Sequence, residues 1–244
     1  SCICKTMERM VNDRLVWFLE KEQILSQSQS GFRKRRSTVD QLIKLETLVR
    51  ESFIQGHHGV AVFFDLEKAY DTTWKYGIMK DLHSAGLRGR LPEFISGFLN
   101  DRRVRIGAIL SDEYEQEMGV PQGCILSVTL FCLKINSIVK TLLPDTECSL
   151  YVDDFLIFFH SRHMPTIERH LQRVLNKLQV WADENGFKFS TSKTVVMHFC
   201  RMKKEHSHPE LFLNGTAIPV MEETKFLGLI FDSKHFHSSP KIST

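Results

Sequence analysis

Two long stretches of the chain carry apolar residues at the spacing of a single helix face. Residues 5–21 and 165–184 repeat apolar positions every three or four residues, and this period predicts amphipathic helices. A third helix is predicted near 38–55, where Thr38 is placed to cap the first turn and Gln41 completes a capping box. Shorter helices complete the helical prediction, over 74–85, after Pro92 and over 127–140.

Short continuous apolar runs, rich in Val, Phe and Ile, mark the strands. Residues 60–64 and 149–157 are of this type, which is typical of a sheet covered on both faces. Weak alternation over 102–118 predicts a hairpin, and 226–231 predicts a late strand. Strands interleaved with helices, joined by both hairpins and crossovers, favour a mixed α/β or α+β fold.

The composition sets broad limits on the class of protein. A chain of 244 residues with 42% apolar content can bury a sizeable core, as one large domain or two small lobes. The net charge is only +3, so the overall charge gives no argument for a polyanionic partner. Basic residues nevertheless cluster at 33–36 and between 88 and 105, where either a solvated face or contacts with phosphates would explain them.

The six cysteines form no Cys-x-x-Cys pair and no regular framework, which suits a reducing, intracellular compartment. No apolar stretch approaches the roughly 20 residues that span a bilayer, so we expect no membrane partner. The first residue is Ser, and we expect an internal piece of a longer protein. The pairs Cys2-x-Cys4, His206-x-His208 and His235-x-His237 lack zinc-finger spacing and do not favour a structural zinc.

Three aspartates are the most informative residues of the chain. Asp65 ends the apolar run 60–64, and Asp153 and Asp154 lie inside the run 149–157. Carboxylates at the ends of buried strands are costly unless a cation holds them. Two magnesium ions about 3.5–4 Å apart are the usual solution in enzymes that transfer nucleotides. An ordinary turn is the alternative explanation of two adjacent aspartates, but such a turn does not need apolar strands on both sides.

The segments around these aspartates resemble the conserved boxes of reverse transcriptases. Tyr151-Val152-Asp153-Asp154 looks like the Tyr-x-Asp-Asp box of that family, and two further segments resemble its non-LTR (LINE-type) retrotransposon branch. Six boxes follow one another in the family's order, at 29–33, 63–71, 119–127, 151–154, 192–194 and 226–228. Six boxes in order, over roughly residues 2–232, make the resemblance specific.

The resemblance implies an α+β fold, the palm of a right-hand polymerase, in which helices back an antiparallel sheet. It implies partial fingers at 1–58 and 74–118, a palm at 59–73 and 119–232, and a disordered tail at 233–244. The thumb is missing from this range, and the thumb and an endonuclease are expected in other domains of the same polyprotein. Val128 and Val152 stand where the family more often has other residues, away from the chemistry.

The resemblance also implies the residues of a catalytic centre. Asp65, Asp153 and Asp154 would be catalytic and would bind two Mg²⁺ ions, which Mn²⁺ can replace, with help from the carbonyl of Leu66. Lys193 would approach the triphosphate of the nucleotide as a charge partner or as a proton donor to pyrophosphate. A solvated lysine is the competing interpretation of Lys193.

Further implied contacts concern the nucleotide, the template and the primer. Tyr70 would be an aromatic gate that excludes a 2′-hydroxyl, and Gln122 would lie against the template–nucleotide pair. The template and primer would contact Arg33, Arg36, Gly123, Phe226, Leu227 and Gly228. Simpler explanations stay open: core packing for Tyr70, a plain turn for 119–123, a strand for 226–228 and a nuclear-localisation signal for the basic run.

The implied activity is that of an RNA-directed DNA polymerase, which transfers nucleotides from dNTPs to a primer 3′-hydroxyl on an RNA template. The RNA template, a DNA primer and dNTPs are the expected partners, and the expected location is nuclear and cytoplasmic. One alternative is a catalytically silent nucleic-acid-binding remnant of such an element. Another is an RNA-dependent RNA polymerase, against which Tyr70 argues because that enzyme needs room for the 2′-hydroxyl.

Overall fold

The computed structural model describes residues 2–100, 105–106, 109–110, 117–201 and 207–233. Within these ranges the chain forms two compact units. The helical unit consists of residues 1–26, 68–137 and 185–187, and the sheet unit consists of residues 27–67, 138–184 and 188–244.

Helices and short strands alternate along the chain, as the interleaved patterns predict. The helices are α1 (Cys2–Lys21), α2 (Thr38–Ile54), α3 (Lys75–Ser84), α4 (Arg90–Leu99), α5 (Ile125–Ile135) with a 3₁₀ turn at Asn136–Thr141, and α6 (Met164–Asn185). The strands are β1 (His58–Phe64), β2 (Arg105–Ile106), β3 (Ile109–Leu110), β4 (Glu147–Tyr151), β5 (Asp154–Ser161), β6 (Val195–Phe199), β7 (Phe212–Leu213), β8 (Thr216–Ala217), β9 (Glu223–Phe226) and β10 (Leu229–Asp232).

A four-stranded antiparallel sheet forms the centre of the sheet unit, in the order β4-β5-β1-β6. Its apolar runs lack polar alternation because both faces are covered. On one face, residues of α2 and of the β9–β10 hairpin join a core that includes Phe158 and Phe199. On the other face, the ring of Phe159 stacks on His170 of α6 at 3.9 Å. Burying each such ring contributes roughly 1.5–3 kcal/mol.

The helical unit has its own apolar core, to which α1, α3, α4 and α5 contribute. Leu15, Ile78 and Leu130 are among its fully buried residues. Polar contacts also occur in this unit: Thr129 donates to Asn12 at 2.7 Å, and the ammonium group of Lys134 lies 3.3 Å from the Asp81 carboxylate. Pairing the buried Lys134 offsets the cost of removing its charge from water.

Two predicted details of the helices are wrong. The N-cap of α2 is Ser37, whose hydroxyl accepts from the backbone N–H of Asp40, whereas Thr38 is already helical. Asp40, not Gln41, completes the capping box, and Gln41 is buried. The helix predicted over 127–140 begins at Ile125 and gives way to a 3₁₀ turn at Asn136.

Other predictions fall partly outside the described residues. The hairpin expected over 102–118 is described at β2 and β3, which pair with each other, and at Glu117 and Met118, where Met118 forms an isolated bridge with Trp74. Of the disordered tail expected at 233–244, only Ser233 is described, and it donates to the carbonyl of Glu222. The predicted boundaries between fingers and palm stay a prediction. The two compact units divide the chain differently, since α2 belongs to the sheet unit and α5 to the helical unit. Among the described helices, none has the length and apolar character that crossing a bilayer requires.

Candidate active site

Two of the three aspartates lie at the same end of two neighbouring strands: Asp65 directly follows β1, and Asp154 is the first residue of β5. Strands β1 and β5 are paired so that Phe64 faces Phe155, each of them next to an aspartate. Directly opposed residues of an antiparallel pair have Cβ atoms about 4.5–5.5 Å apart. The pairing of the strands therefore brings together carboxyl groups from distant parts of the sequence.

This arrangement raises the pKa of the Asp154 carboxyl group. Partial burial, and then the charges of Asp153 and Asp65, raise the pKa of Asp154 from its usual 3.8 to about 6. Neighbouring negative charges disfavour ionisation, and a bound divalent cation reverses that effect. The three aspartates therefore form a centre with an excess of negative charge.

The donor set of this centre fits a hard divalent cation such as Mg²⁺, which prefers carboxylate oxygens. The described part of the chain contains one group of three closely spaced potential metal ligands, and it lies elsewhere, at His58, His198 and Cys200. Two ions about 3.5–4 Å apart do not need all their ligands in one such cluster, because each carboxylate can serve a different ion. The aspartates therefore offer carboxylate oxygens, the ligand type that a divalent cation of this class prefers.

The backbone around Leu66 is held by the segment that follows α6. Glu67 donates to the carbonyl of Lys188, and Ser190 donates to the carbonyl of Asp65, both at 2.8 Å. The carbonyl of Leu66 takes no part in either hydrogen bond. Its position next to Asp65 is therefore fixed without using the oxygen that the family resemblance assigns to a metal.

The turn that carries Asp153 is a two-residue connection between β4 and β5. Tyr151 pairs with Asp154, which leaves Val152 and Asp153 at the turn. Val152 has a φ of 61° and is buried, an uncommon conformation for a β-branched residue. Such strain costs about 1–3 kcal/mol and persists only where the surroundings impose it.

The surroundings that impose it come from residues 28–31. The side-chain oxygen of Gln29 accepts from the backbone N–H of Val152 at 3.2 Å and from that of Gly31 at 2.8 Å. The same segment runs beside β4, where Ser30 donates to the carbonyl of Leu150 at 2.9 Å. A Cβ on Gly31 would lie 2.5 Å from Cγ2 of Val152, so only glycine allows this approach.

Lys193 lies on the other side of Asp65. Its ammonium group is 3.5 Å from Oδ2 of Asp65. The next residue, Thr194, is buried and donates its backbone N–H to the carbonyl of Ser190 at 2.9 Å. Asp65, Asp153, Asp154 and Lys193 therefore lie near one another in the sheet unit, and their catalytic roles stay a prediction.

Tyr70 belongs to the helical unit, where its ring packs in the core. The ring stacks on Phe131 with centroids 4.7 Å apart, and the backbone carbonyl of Tyr70 accepts from Val120 at 2.9 Å. The core packing that was the simpler explanation of Tyr70 is therefore observed. This packing is compatible with the predicted role of Tyr70 as an aromatic gate. One face of the ring packs on Phe131, and the residue as a whole is only half-buried.

The loop 119–123 is tied to the segment after Tyr70. Gly119 has a φ of 90° and donates to the carbonyl of Thr73 at 2.8 Å, while the amide of exposed Gln122 donates to Asp71 at 3.1 Å. Gly123 has a φ of 84° and lines an open cavity of about 380 Å³. The cavity is also lined by Lys5, Thr6, Glu8, Arg9 and Ile125.

The predicted template contacts Arg33 and Arg36 have partners in the sheet unit. Arg33 donates to the carbonyl of Gln29 at 3.0 Å, and Arg36 donates to the backbone and side-chain oxygens of Gln27. Both guanidinium groups therefore support the segment that contacts the Val152 turn. This supporting role does not depend on a nucleic acid.

Residues 226–228 form the end of β9 and the turn that leads to β10. Phe226 is buried and its ring lies 5.4 Å from that of Phe63, so its side chain belongs to the core. Leu227 and Gly228 have φ angles of 49° and 87° and form the two-residue turn before Leu229. The exposed part of this box is therefore the turn.

Gln29, Lys5 and Arg9 have no role among the predicted site residues. Gln29 was quoted only as part of a box, and its function depends on its pairing with residues 150–152. No sequence signal identified it, because binding to the backbone two residues on is typical of Asn and Asp side chains rather than of Gln. Lys5 and Arg9 line the cavity because α1 packs beside α5. The apolar periodicity of α1 predicts the helix but does not predict which helix it packs against.

Comparison with known protein families gives a match over nearly the whole chain. A family model described as reverse transcriptase (RNA-dependent DNA polymerase) matches residues 1–231. Among curated Drosophila melanogaster proteins, the probable RNA-directed DNA polymerase from transposon X-element is 26% identical over 95% of this chain. The probable RNA-directed DNA polymerase from transposon BS is 28% identical over 96% of it. The chain spans 26% and 27% of the lengths of these two relatives.

Solved structures share the fold. Apo telomerase of Candida tropicalis, truncated from its C-terminal domain, aligns with a TM-score of 0.63 at 14% identity. The alignment covers 98% of this chain and 45% of that one. Telomerase of the same organism in complex with a fragment of telomeric RNA aligns with a TM-score of 0.64 at 15% identity, over 96% and 37% of the two chains. These likenesses, together with the antiparallel sheet and its helices, confirm the predicted α+β palm fold.

Proposed function

The chain belongs to the reverse transcriptase (RNA-dependent DNA polymerase) family, and from this premise we propose that it is the polymerase domain of a LINE-type retrotransposon. It extends a DNA primer on an RNA template by transferring nucleotides from dNTPs. The retrotransposon assignment is supported by the relatives, which are named for transposons and mobile elements.

One observation carries the proposed chemistry: β1 and β5 are paired as far as Phe64 and Phe155, which places Asp65 and Asp154 at the same end of neighbouring strands, with Asp153 in the adjoining turn. Members of this family generally use divalent metal ions, and we propose two Mg²⁺ ions, replaceable by Mn²⁺. Asp65, Asp153, Asp154 and the carbonyl of Leu66 would hold them. When bound, such ions make the primer hydroxyl a better nucleophile and stabilise the charge of the leaving pyrophosphate.

The remaining residues would bind and orient the substrates. Lys193, close to Asp65, would donate a proton or a charge-assisted hydrogen bond to the departing pyrophosphate. Tyr70 would close the space that a 2′-hydroxyl needs, with its ring supported from behind by Phe131. Gln122 would contact the nucleotide paired with the template, and its amide is already oriented by Asp71.

Template and primer contacts are proposed on a wider surface. Arg33, Arg36 and Gly123 would contact the template, and the turn at Leu227 and Gly228, anchored by buried Phe226, would contact the primer. Other domains of the same polyprotein, a thumb and an endonuclease, would complete the working enzyme. Its location would be nuclear and cytoplasmic.

The test is primer extension on an RNA template with Mg²⁺ and dNTPs, using the chain within its full open reading frame. Asp154→Asn should lower the extension rate by roughly 10³-fold or more, because a neutral amide binds a divalent cation far more weakly than a carboxylate does. Asp145→Asn is a matched control: Asp145 is exposed and has a φ of 64°, which asparagine also tolerates.

The two variants together separate the possible outcomes. Extension that survives Asp154→Asn undiminished contradicts the proposed site. RNA binding that falls with salt, without extension by the unaltered protein, identifies a catalytically silent remnant instead.

A further inference from the structure

A second cluster of ligand side chains lies at the other end of the central strand. Asp65 follows the last residue of β1, whereas His58 is its first residue. At about 3.3 Å per residue, the two ends of this stretch are roughly 20 Å apart. The cluster at His58 is therefore separate from the aspartates.

The strand register explains why this cluster forms. Strands β1 and β6 are paired so that Gly59 faces Phe199 and Val60 faces His198. One further step sets His58 against Cys200, with His198 on the diagonal, so all three side chains are on one face of the sheet. Their ligand atoms all lie within 4.8 Å of one another.

The geometry of the two imidazoles is close to that of a metal site. Nδ1 of His58 and Nε2 of His198 are 3.0 Å apart. Two nitrogens bound to one tetrahedral zinc ion, each at about 2.0–2.1 Å, lie roughly 3.3 Å apart. A shift of a few tenths of an ångström would therefore convert the present contact into ligation.

The second nitrogen of His198 already has a partner. Its Nδ1 is 3.3 Å from Nδ1 of His208, and the two rings meet edge to face. Histidine ligands characteristically use their other ring nitrogen in a hydrogen bond that fixes tautomer and ring orientation. His208 thus occupies the position of an orienting residue for Nε2 of His198.

We propose that His58, His198 and Cys200 form a zinc-class metal site that joins the edge strand β6 to β1. Two imidazoles and a thiolate are borderline-to-soft ligands, suited to Zn²⁺ and unsuited to Mg²⁺. Only 7% of His58 and 5% of His198 is exposed, whereas Cys200 is half-buried, which leaves one side for solvent to fill the fourth coordination position. The site contributes stability and takes no part in the polymerase chemistry.

The chain provides an internal comparison for this proposal. Nδ1 of His57 and Nδ1 of His160 are also 3.0 Å apart. Among the described residues, no third side chain completes a ligand group around that pair. His57→Asn therefore removes a histidine from the same region without removing a proposed ligand.

The experiment is a titration of the whole chain, stripped of metal, with Zn²⁺ alone against a competing chelator. The unaltered protein should bind one equivalent, and Cys200→Ser or His198→Asn should weaken binding at least 100-fold. His208→Ala should weaken it by about 10–100-fold, the range for loss of an orienting partner. His57→Asn and Asp154→Asn should bind as tightly as the unaltered protein.

Substitution by Co²⁺ gives a second measurement, which does not depend on any variant folding. Thiolate ligation should add a sulfur-to-cobalt charge-transfer band in the near ultraviolet, lost on adding excess Zn²⁺. Absence of that band, or zinc affinity that Cys200→Ser leaves unchanged, overturns the proposal. In that case the two histidines are simply hydrogen-bonded to each other. Neither result depends on polymerase activity.

Discussion

The side chain of Gln29 accepts a hydrogen bond from the backbone N–H of Val152, in the turn between β4 and β5 that carries Asp153. The residue is fully buried and also accepts from Gly31. It thereby satisfies two buried N–H groups and stabilises a β-branched residue in the left-handed region. The conformation of the turn that carries Asp153 thus depends on a residue far away in the sequence.

Replacing Gln29 should therefore affect both stability and activity. Gln29→Ala leaves two buried donors without their acceptor and should lower the free energy of unfolding by about 1–3 kcal/mol. It should also slow primer extension, because the turn would lose its fixed position. Urea unfolding and extension assays measure the two effects. Gln55→Ala, at an exposed helix end, should change stability by less than about 0.5 kcal/mol, and an equal loss in both variants would contradict the role of Gln29.

Gly31→Ala should be destabilising, because the added Cβ would meet Cγ2 and the backbone nitrogen of Val152 at 2.5 and 2.6 Å. We expect a loss of at least 1–3 kcal/mol, typical of overpacking. Gly97→Ala is a control of opposite sign: no atom lies near its new Cβ, and α4 should gain about 0.5–1 kcal/mol. Adding Val152→Ala should restore only part of the loss, since the backbone nitrogen remains in the way. Thermal unfolding of the three variants tests this order.

The raised pKa of Asp154 predicts a dependence of stability on pH. Its pKa is about 6 in the folded chain and near 3.8 when unfolded. Protonation of Asp154 therefore favours the folded state below pH 3.8, and this contribution is lost as the pH rises through 6. In metal-free buffer Asp154→Asn should be more stable than the unaltered chain at pH 7, and the difference should disappear near pH 4.

Urea unfolding at several pH values, with and without Mg²⁺, measures this difference. Mg²⁺ should stabilise the unaltered chain at pH 7 and leave Asp154→Asn nearly unchanged, because a cation bound by the carboxylate lowers its pKa. Asp145→Asn should follow the unaltered chain throughout. A constant difference between Asp154→Asn and the unaltered chain, at every pH, would show that the shift has another cause.

Tyr70→Val should weaken the discrimination of the enzyme against ribonucleotides. The smaller side chain leaves room for a 2′-hydroxyl, and the ratio of kcat/KM for dNTP over rNTP should fall by at least 10²-fold. The loss of the stack on Phe131 should also cost about 0.5–1.5 kcal/mol beyond the area term. Tyr70→Phe keeps both the ring and the discrimination. Free use of ribonucleotides by the unaltered enzyme would instead favour an RNA-dependent RNA polymerase.

The sequence predicted those features that local pattern determines. The apolar runs around Asp65 and Asp154 became paired strands, and the helix expected over 165–184 is observed at Met164–Asn185. The end of α5 was not predictable, because Asn136 uses its side chain to bind the backbone of Ile24 and Ser26. Contacts of that kind, like the pairing of Gln29 with the Val152 turn, join segments that only the folded chain brings together.

Replacing Lys193 should lower activity without lowering stability. Its ion pair with Asp65 involves side chains that are 70% and 39% exposed, and such pairs contribute about 0–1 kcal/mol. Lys193→Gln should therefore leave the free energy of unfolding nearly unchanged. If Lys193 protonates the leaving pyrophosphate, kcat should fall by about 10²–10⁴-fold, which is typical of losing a general acid.

Lys188→Gln is the matched control for this prediction. The ammonium group of Lys188 lies 3.1 Å from the carboxylate of Glu67, which is two residues after Asp65. The exposure of this pair is similar to that of the Lys193–Asp65 pair. Removing its charge should change neither kcat nor its pH profile, since the resemblance gives it no contact with the nucleotide. Single-turnover kinetics over a range of pH, with both variants in parallel, make the comparison. An equal fall in both would mean that general positive charge, rather than proton transfer from Lys193, supports the reaction.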